Sequence, residues 1–268
     1  MTDESTTRAL ILARGLGRRM RRAAPEVALD AKQAAAAAAG LKAMMPFGRP
    51  FLDFVLHSLA EAGVGEVALV LGPEHEQVRE YYRTLPTSRI AVDFVEQAQP
   101  LGTADAVLAG REWAGVRPFL VLNADNLYPI DVLSALVGGT NPAVPGFERD
   151  SLGLPIERLA SFALLEVRDG ASLKSIVEKP GVGAMDAAGP RALVSMNAWR
   201  FDRRIFDACR DVPLSSRGER ELPQAVGLAI ARGVPFEVFP VRGQVLDLSN
   251  REDIPRVAQS LGDREVRL

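Results

Sequence analysis

Cysteine is almost missing: Cys209 is the only one in 268 residues. A disulfide within the chain and any cluster of thiolate metal ligands are therefore excluded, and a reducing, cytoplasmic setting is expected. Charge of one sign is missing too, since 32 Lys+Arg stand against 34 Asp+Glu, a formal net charge of -2. No broad field draws the chain to nucleic acid or to an anionic membrane, so a small molecule is the expected partner. Acidic residues precede the first short apolar run, and no segment approaches the roughly 18 apolar residues of a membrane span. The chain is expected to be neither exported nor anchored. No repeat with a period of roughly 20 to 50 residues is visible, which excludes a solenoid or an appended β-helix.

What is present is enough apolar material, 47% of the chain, to bury a substantial core in one domain spanning 1–268. Short runs rich in Val, Ile, Leu and Phe, at Ala9 to Ala13, Glu66 to Leu71, Ile90 to Val95 and Phe119 to Asn123, predict buried strands. Helical patterns lie between them. Phe51, Phe54, Val55, Leu59 and Ala62 recur at helical spacing and stop at Gly63, and Thr103 to Trp113 and Val132 to Val137 also predict helices. This alternation implies an α/β fold with a parallel, helix-covered sheet. Farther on, Phe162 to Val167, Leu173 to Val177, Leu193 to Trp199 and Phe236 to Val245 predict strands, with helices around Arg203 to Arg210 and Glu219 to Arg232. The second half thus predicts a mixed-sheet extension of the same fold. One segment departs from the pattern. Glu26 to Leu41 carries six consecutive alanines, Ala34 to Ala39, closed by Gly40. Strong helix propensity with little to bury predicts an exposed helix or a lid.

The first strand runs straight into Arg14-Gly15-Leu16-Gly17-Arg18-Arg19-Met20, a turn in which backbone amides can approach a phosphate chain. Two common nucleotide motifs fail here. A dinucleotide fingerprint needs a third glycine where Met20 stands, and a P-loop needs a Gly-Lys-Ser/Thr that is absent. Taken together, LARGLGRRM, LKAMMPFGRPFLDFVL, EQAQPLGTADAVLAG, FLVLNADNLYP, IVEKP and VLDLSNREDI resemble, in order, the signature segments of the sugar nucleotidyltransferases. That family includes glucose-1-phosphate uridylyl- and thymidylyltransferases and mannose-1-phosphate guanylyltransferases. The resemblance implies a Rossmann-like nucleotide-diphospho-sugar transferase fold, with a mixed, mostly parallel central sheet flanked by helices. It also implies a reaction in which a nucleoside triphosphate and a sugar 1-phosphate give a nucleotide sugar and pyrophosphate.

By the same resemblance, Asp125 and Asp247 are the expected ligands of Mg2+, a hard cation that also takes phosphate oxygens. Asp125 follows a predicted strand, where open α/β sheets place ligands. For Asp247 a plain surface turn is the alternative. Arg19 and Lys42 are expected to neutralise the triphosphate, with Ala13, Gly15, Gly17, Gly102 and Thr103 also in the nucleotide site. Lys179, after Glu178 in the Glu-Lys-Pro segment, is expected to hold the sugar phosphate, and Asn197 to contact the sugar. Such chemistry needs no histidine. A sugar phosphate, with a second pKa of roughly 6, is already charged and can attack phosphorus without a general base. His57, inside an apolar helical run, then reads as a packed or hydrogen-bonded residue.

Gln97, five residues before Gly102, stands where uridylyltransferases of the family place a glutamine facing the base, with Gln99 as a nearby alternative. An amide supplies a donor and an acceptor, which predicts UTP or dTTP rather than a purine triphosphate. Three features depart from the family pattern. Arg14 replaces a small residue, Arg18 replaces Ser or Thr, and the alanine-rich insertion at about 26–41 lengthens the gap from Arg19 to Lys42. Asn141 to Ser161 yields no match to the family's sugar-contacting glycine. Two other functions stay open: a cytidylyltransferase acting on a non-sugar phosphate, and a non-catalytic nucleotide-sugar sensor. A glycosyltransferase of related fold would carry an Asp-x-Asp motif, and around Asp125 the sequence reads Asn123-Ala124-Asp125-Asn126. Homo-oligomer formation is left open by the sequence.

Overall fold

The computed structural model describes residues 7–22 and 24–268. The first half contains β1 (Arg8–Leu12), α1 (Ala31–Ala39), the short strands β2 (Pro46–Phe47) and β3 (Arg49–Pro50), α2 (Phe51–Glu61), β4 (Glu66–Leu71) and α3 (Glu76–Thr84). It continues with β5 (Ala91–Glu96), α4 (Thr103–Ala109), α5 (Arg111–Ala114), β6 (Phe119–Asn123) and β7 (Asn126–Leu127). Next come α6 (Ile130–Gly138), β8 (Ala143–Glu148), α7 (Ile156–Leu159), β9 (Ala163–Arg168), β10 (Ser172–Val177) and α8 (Gly181–Ala187). The chain closes with β11 (Leu193–Ser195), β12 (Trp199–Phe201), α9 (Ile205–Asp211), α10 (Leu222–Ala231), β13 (Glu237–Val241), β14 (Leu246–Asp247) and α11 (Asp253–Leu261).

Ten of these strands form one mixed sheet in the order β11-β9-β10-β13-β8-β12-β6-β1-β4-β5. The half that includes β6, β1, β4 and β5 is parallel, as the alternation predicted. Its strands are apolar throughout because both faces are covered. Ala9 and Ile11 pack into the core with α2, α6 and α11, whereas Leu10 packs with α4, α9 and α10 on the opposite face. The second half curls. β8 pairs with β13 on one side and β11 on the other, and β9 and β10 link β11 back to β13, closing a ring. Gly146 permits the closure, because a Cβ there would lie 3.0 Å from Leu193 and Val238 side-chain atoms.

Two predicted elements are divided and two are shortened. The helix from Thr103 breaks into α4 and α5 at Gly110, where a Cβ would lie 2.4 Å from Leu10 Cδ1. Leu193 to Trp199 is not one strand, since Asn197 takes a left-handed φ of 60° between β11 and β12. Phe236 to Val245 gives β13 alone, which ends at Val241; β14 begins just past that range and pairs with β7 instead of the main sheet. Glu219 to Arg232 begins as a loop and becomes helical at Leu222. Within Glu26 to Leu41, α1 is a true helix. Asp30 and Gln33 form a reciprocal capping box at its start, and Gly40 at φ 71° ends it. Most of its alanines are exposed, and Ala37 is buried.

Candidate active site

A cleft of about 380 Å³ opens at the carboxyl ends of β1 and β6, the place where open α/β sheets bind ligands. Backbone bonds from Ala13 N to the Val70 carbonyl and from Ala124 N to the Leu12 carbonyl, at 3.0 and 3.1 Å, tie the turn after β1 to its neighbouring strands. Ala13, Gly15, Gly17, Arg18 and Arg19 all line the cleft, and both arginines are exposed. Gly17 has a left-handed φ of 57°, and a Cβ there would sit 2.2 Å from the Gly40 carbonyl oxygen. Two glycines in backbone contact therefore clasp the turn onto the end of α1. Arg21 strengthens the clasp by donating to the Ala39 carbonyl at 2.9 Å. The contact carries Lys42, two residues beyond Gly40, to the opposite wall.

Lys42 Nζ donates to Asp125 Oδ2, and both side chains are about four-fifths buried. Behind Asp125, the β7–β14 pair sets Asp247 opposite Asn126, and Leu248 N donates to the Asp125 carbonyl at 2.9 Å. The two expected metal ligands, 122 positions apart in sequence, are brought together by this two-residue ladder. Asp247 is 2% exposed. Burial first, and then the Asp125 charge, push its carboxyl above the ordinary value, against the pull of Arg158 and Ser249. Arg158 Nη2 donates to Asp247 Oδ2 at 2.7 Å and to Asp253 Oδ2 at 2.8 Å, and Ser249 Oγ donates to Asp247 Oδ1 at 2.9 Å. Arg158 lies in the stretch that matched nothing in the sequence. No local signal marks it, because its carboxylate partners are 89 and 95 residues away.

Gln97 is 4% exposed and lines the cleft wall. Its Nε2 donates to the Gly102 carbonyl at 3.1 Å and to Asp105 Oδ2 at 2.8 Å. Both amide hydrogens are thus engaged within the protein, and Oε1 is the group left to offer a ligand. The expectation of a donor plus an acceptor from this side chain gives way to an acceptor alone. Gly102 and Thr103 also line the cleft. Gly102 has φ 108°, and a Cβ would lie 2.4 Å from the Arg220 carbonyl oxygen, so the loop before α10 packs directly on it. Arg220 N donates to the Leu101 carbonyl at 2.7 Å and Thr103 Oγ1 accepts from Leu222 N at 2.9 Å. Stitched down in this way, the loop brings Arg217 and Glu219 into the cleft lining, two residues that sequence reasoning did not single out. The polar turn Ser215-Ser216-Arg217-Gly218-Glu219 between two apolar helices was the available signal.

Glu178, Lys179 and Asn197 are not among the residues lining this cleft. Lys179 is 45% exposed, and its Nζ lies 3.7 Å from Glu178 Oε1. Burial first, and then Glu221, raise the Glu178 carboxyl, against Lys179 and Arg217. Glu178 therefore neighbours the loop that does line the cleft. Lys179 and Asn197 have φ of 48° and 60°, and among the described residues only Asp169 joins them as a non-glycine with positive φ. Asparagine tolerates that conformation and lysine seldom adopts it, so Lys179 carries local strain of the kind that gathers at functional sites. Asn197 follows Met196, whose carbonyl accepts the Tyr128 hydroxyl at 2.6 Å, one residue after β7. His57 does not reach the cleft either; its ring nitrogen lies 3.3 Å from the main chain of Arg267.

Residues 37–262 match the nucleotidyl transferase family, and the chain belongs to it. Among curated relatives, it is 28% identical to a glucose-1-phosphate thymidylyltransferase of Streptomyces antibioticus over 97% of this chain and 68% of that one. It is 25% identical to a low-salt glycan biosynthesis nucleotidyltransferase of Haloferax volcanii, over 80% of this chain but only 58% of that protein's length. A UTP–glucose-1-phosphate uridylyltransferase of Haloferax volcanii is 23% identical over 80% of this chain and 84% of its own. The fold is that of a UDP-glucose pyrophosphorylase solved with UDP-glucose, with a TM-score of 0.74 at 19% identity, covering 95% of this chain and 98% of that one. Among the described residues no helix is long and apolar enough to cross a membrane.

Proposed function

We propose that this chain transfers a nucleotidyl group from UTP or dTTP to a sugar 1-phosphate, giving a nucleotide sugar and pyrophosphate. The observation that carries the reading is the pairing of Lys42 with Asp125 in a cleft whose rim is the Gly15–Arg19 turn, with Asp247 buried behind Asp125 and outside the cleft lining. The turn's amides, with Arg19 and Lys42, hold the triphosphate and offset its charge. The sugar phosphate oxygen attacks the α-phosphorus, a new P–O bond forms, and the bond to the β-phosphate bridging oxygen breaks as pyrophosphate leaves. Alignment and charge neutralisation are sufficient for this displacement. Lys179, with Glu178 beside it, takes the sugar phosphate, and Asn197 contacts the sugar.

The donor set fits a hard divalent cation. Asp125 immediately precedes β7 and Asp247 lies on its partner strand β14, and among the described residues no group of three or more His, Cys, Asp or Glu is arranged to hold a metal ion by itself. Phosphate oxygens and water would complete the shell, as suits magnesium. Bound there by Asp125 and Asp247, magnesium would draw negative charge from the reacting phosphates. The base preference rests on Gln97. An acceptor Oε1 complements the N3–H of uracil or thymine, whereas cytosine presents an acceptor at that position and a purine needs more room.

The test is magnesium-dependent pyrophosphate release from each nucleoside triphosphate against a panel of sugar 1-phosphates, run beside Asp125→Asn. Turnover with UTP or dTTP, lost in the variant without a change in melting temperature, is the expected result. Silence of the wild type across the whole panel would favour a non-catalytic sensor. Preference for CTP with a non-sugar phosphate would favour the cytidylyltransferase.

A further inference from the structure

Three neighbouring strand ends meet at one side chain. Arg14 follows β1, Gly72 follows β4 and Gln97 follows β5, and the Arg14 side chain, 8% exposed, joins the other two. Its Nε and Nη2 donate to the two carboxylate oxygens of Glu74 at 3.2 and 3.3 Å, and its Nη1 donates to the main-chain carbonyl of Gln97. This uses the guanidinium as a planar fork on one partner and as a third donor on another, which a single ammonium cannot reproduce. A Cβ on Gly72 would lie 2.3 Å from Arg14 Nε and from each Glu74 oxygen, so the ion pair rests directly on the Gly72 backbone. That backbone is itself held. Gly72 N donates to His75 Nδ1 at 3.1 Å, and the Gly72 carbonyl accepts from Arg79 Nη2 at 2.9 Å. Burial, then the charges of Arg14 and Arg79, keep the His75 pKa low against Glu74, so its ring stays neutral and able to accept.

Gln97 is consequently fixed at four points. Its carbonyl is bonded by Arg14, its N–H donates to the Leu71 carbonyl at 2.8 Å, and its side-chain amide is bonded to Gly102 and Asp105. We propose that Arg14, clamped by Glu74 over Gly72, is a positioning residue for base specificity, holding the Gln97 main chain so that Oε1 is presented as an acceptor to the N3–H of uracil or thymine. The inference rests on the nucleotide reading above. Arg14 acts through Gln97, and its loss lets the end of β5 relax so that the acceptor no longer has one position.

The experiment is calorimetric binding of UDP and of CDP to the full chain and to Arg14→Ala, Arg14→Lys and Glu74→Ala, with a thermal melt of each. Wild type is expected to prefer UDP by about tenfold or more, as one mismatched polar contact implies. In Arg14→Ala and Arg14→Lys the preference should shrink to within about threefold, and in Glu74→Ala it should fall part of the way. Glu74, half exposed in a loop, carries the test if the Arg14 variants do not fold. A purely structural role would weaken UDP and CDP by the same factor and leave their ratio intact, and that result overturns the proposal. A wild type that binds UDP no better than CDP overturns it as well. Pyrophosphate release by that same wild type, scored separately, would then tell whether nucleotidyl transfer stands without the base assignment.

Discussion

Replacing Gly17 by alanine is expected to damage both stability and nucleotide use, because the residue is constrained twice. At φ 57° a non-glycine residue costs about 1–2 kcal/mol. The new Cβ would also lie 2.2 Å from the Gly40 carbonyl oxygen, and ordinary contact begins at 3.4 Å. Both partners are backbone, so no side chain can swing away and the strands of the clasp must part by about 1.2 Å. Overpacking of this kind adds about 1–3 kcal/mol, for a total near 3 kcal/mol. At about 2–4 °C per kcal/mol the melting temperature should fall by roughly 6–12 °C. Lys42 moves with Gly40, and a displacement of about 1 Å at a reacting site costs on the order of 10²-fold in kcat/KM. Gly15→Ala is the control. Gly15 has no atom within 4 Å of an added Cβ, so its melting temperature should hold. Thermal melts and pyrophosphate-release kinetics on both variants decide the matter. A Gly17→Ala protein that melts with the wild type and keeps its kcat/KM would refute the clasp as the device that aligns Lys42 with the turn.

Lys179→Ala is expected to raise the KM for the sugar 1-phosphate about tenfold while triphosphate affinity is kept, since separate cations hold the two anions; equal losses would contradict that division. Acid should loosen the attachment of α11. Burial alone would raise the Asp253 carboxyl, but hydrogen bonds from Arg158 and the Ser249 and Asn250 amides hold it below the ordinary carboxylate value. Its contribution is therefore complete above the ordinary Asp value of about 3.9 and is lost as pH falls through the depressed folded value. Urea midpoints below about pH 4 should fall less steeply in Asp253→Asn than in the wild type, and parallel profiles would remove the pair from the account. Finally, nucleotide is expected to slow amide exchange across 26–41, as closure of a lid over the triphosphate requires. Unchanged protection would make that segment a structural insertion.

Much of this protein could be read before folding it. Continuous apolar runs announced β1, β4 and β6 to within a residue, because strands covered on both faces have no polar side to break the run. β8 escaped notice since Pro145 and Gly146 look like a turn, and only the ring of pairings around them makes a strand. α3 escaped because Val78 and Tyr82 are nearly its whole buried face in an otherwise charged stretch. Asp125, Lys42 and the glycine turn could be named from local motifs, each carried on a few consecutive residues. Their meeting could not. The Gly17–Gly40 contact, the β7–β14 ladder that brings Asp247 to Asp125, and the hold of Arg158 on two distant carboxylates all join segments far apart in the chain. Which hydrogen-bonding edge of Gln97 faces a ligand also waited on Gly102 and Asp105 claiming its amide hydrogens. The sequence by itself determined which chemical groups are available and which stretches are buried, because those follow from side-chain identity and local periodicity. Tertiary structure alone decided which groups meet and which of their lone pairs and protons remain to act, because each such contact depends on where a remote backbone lies.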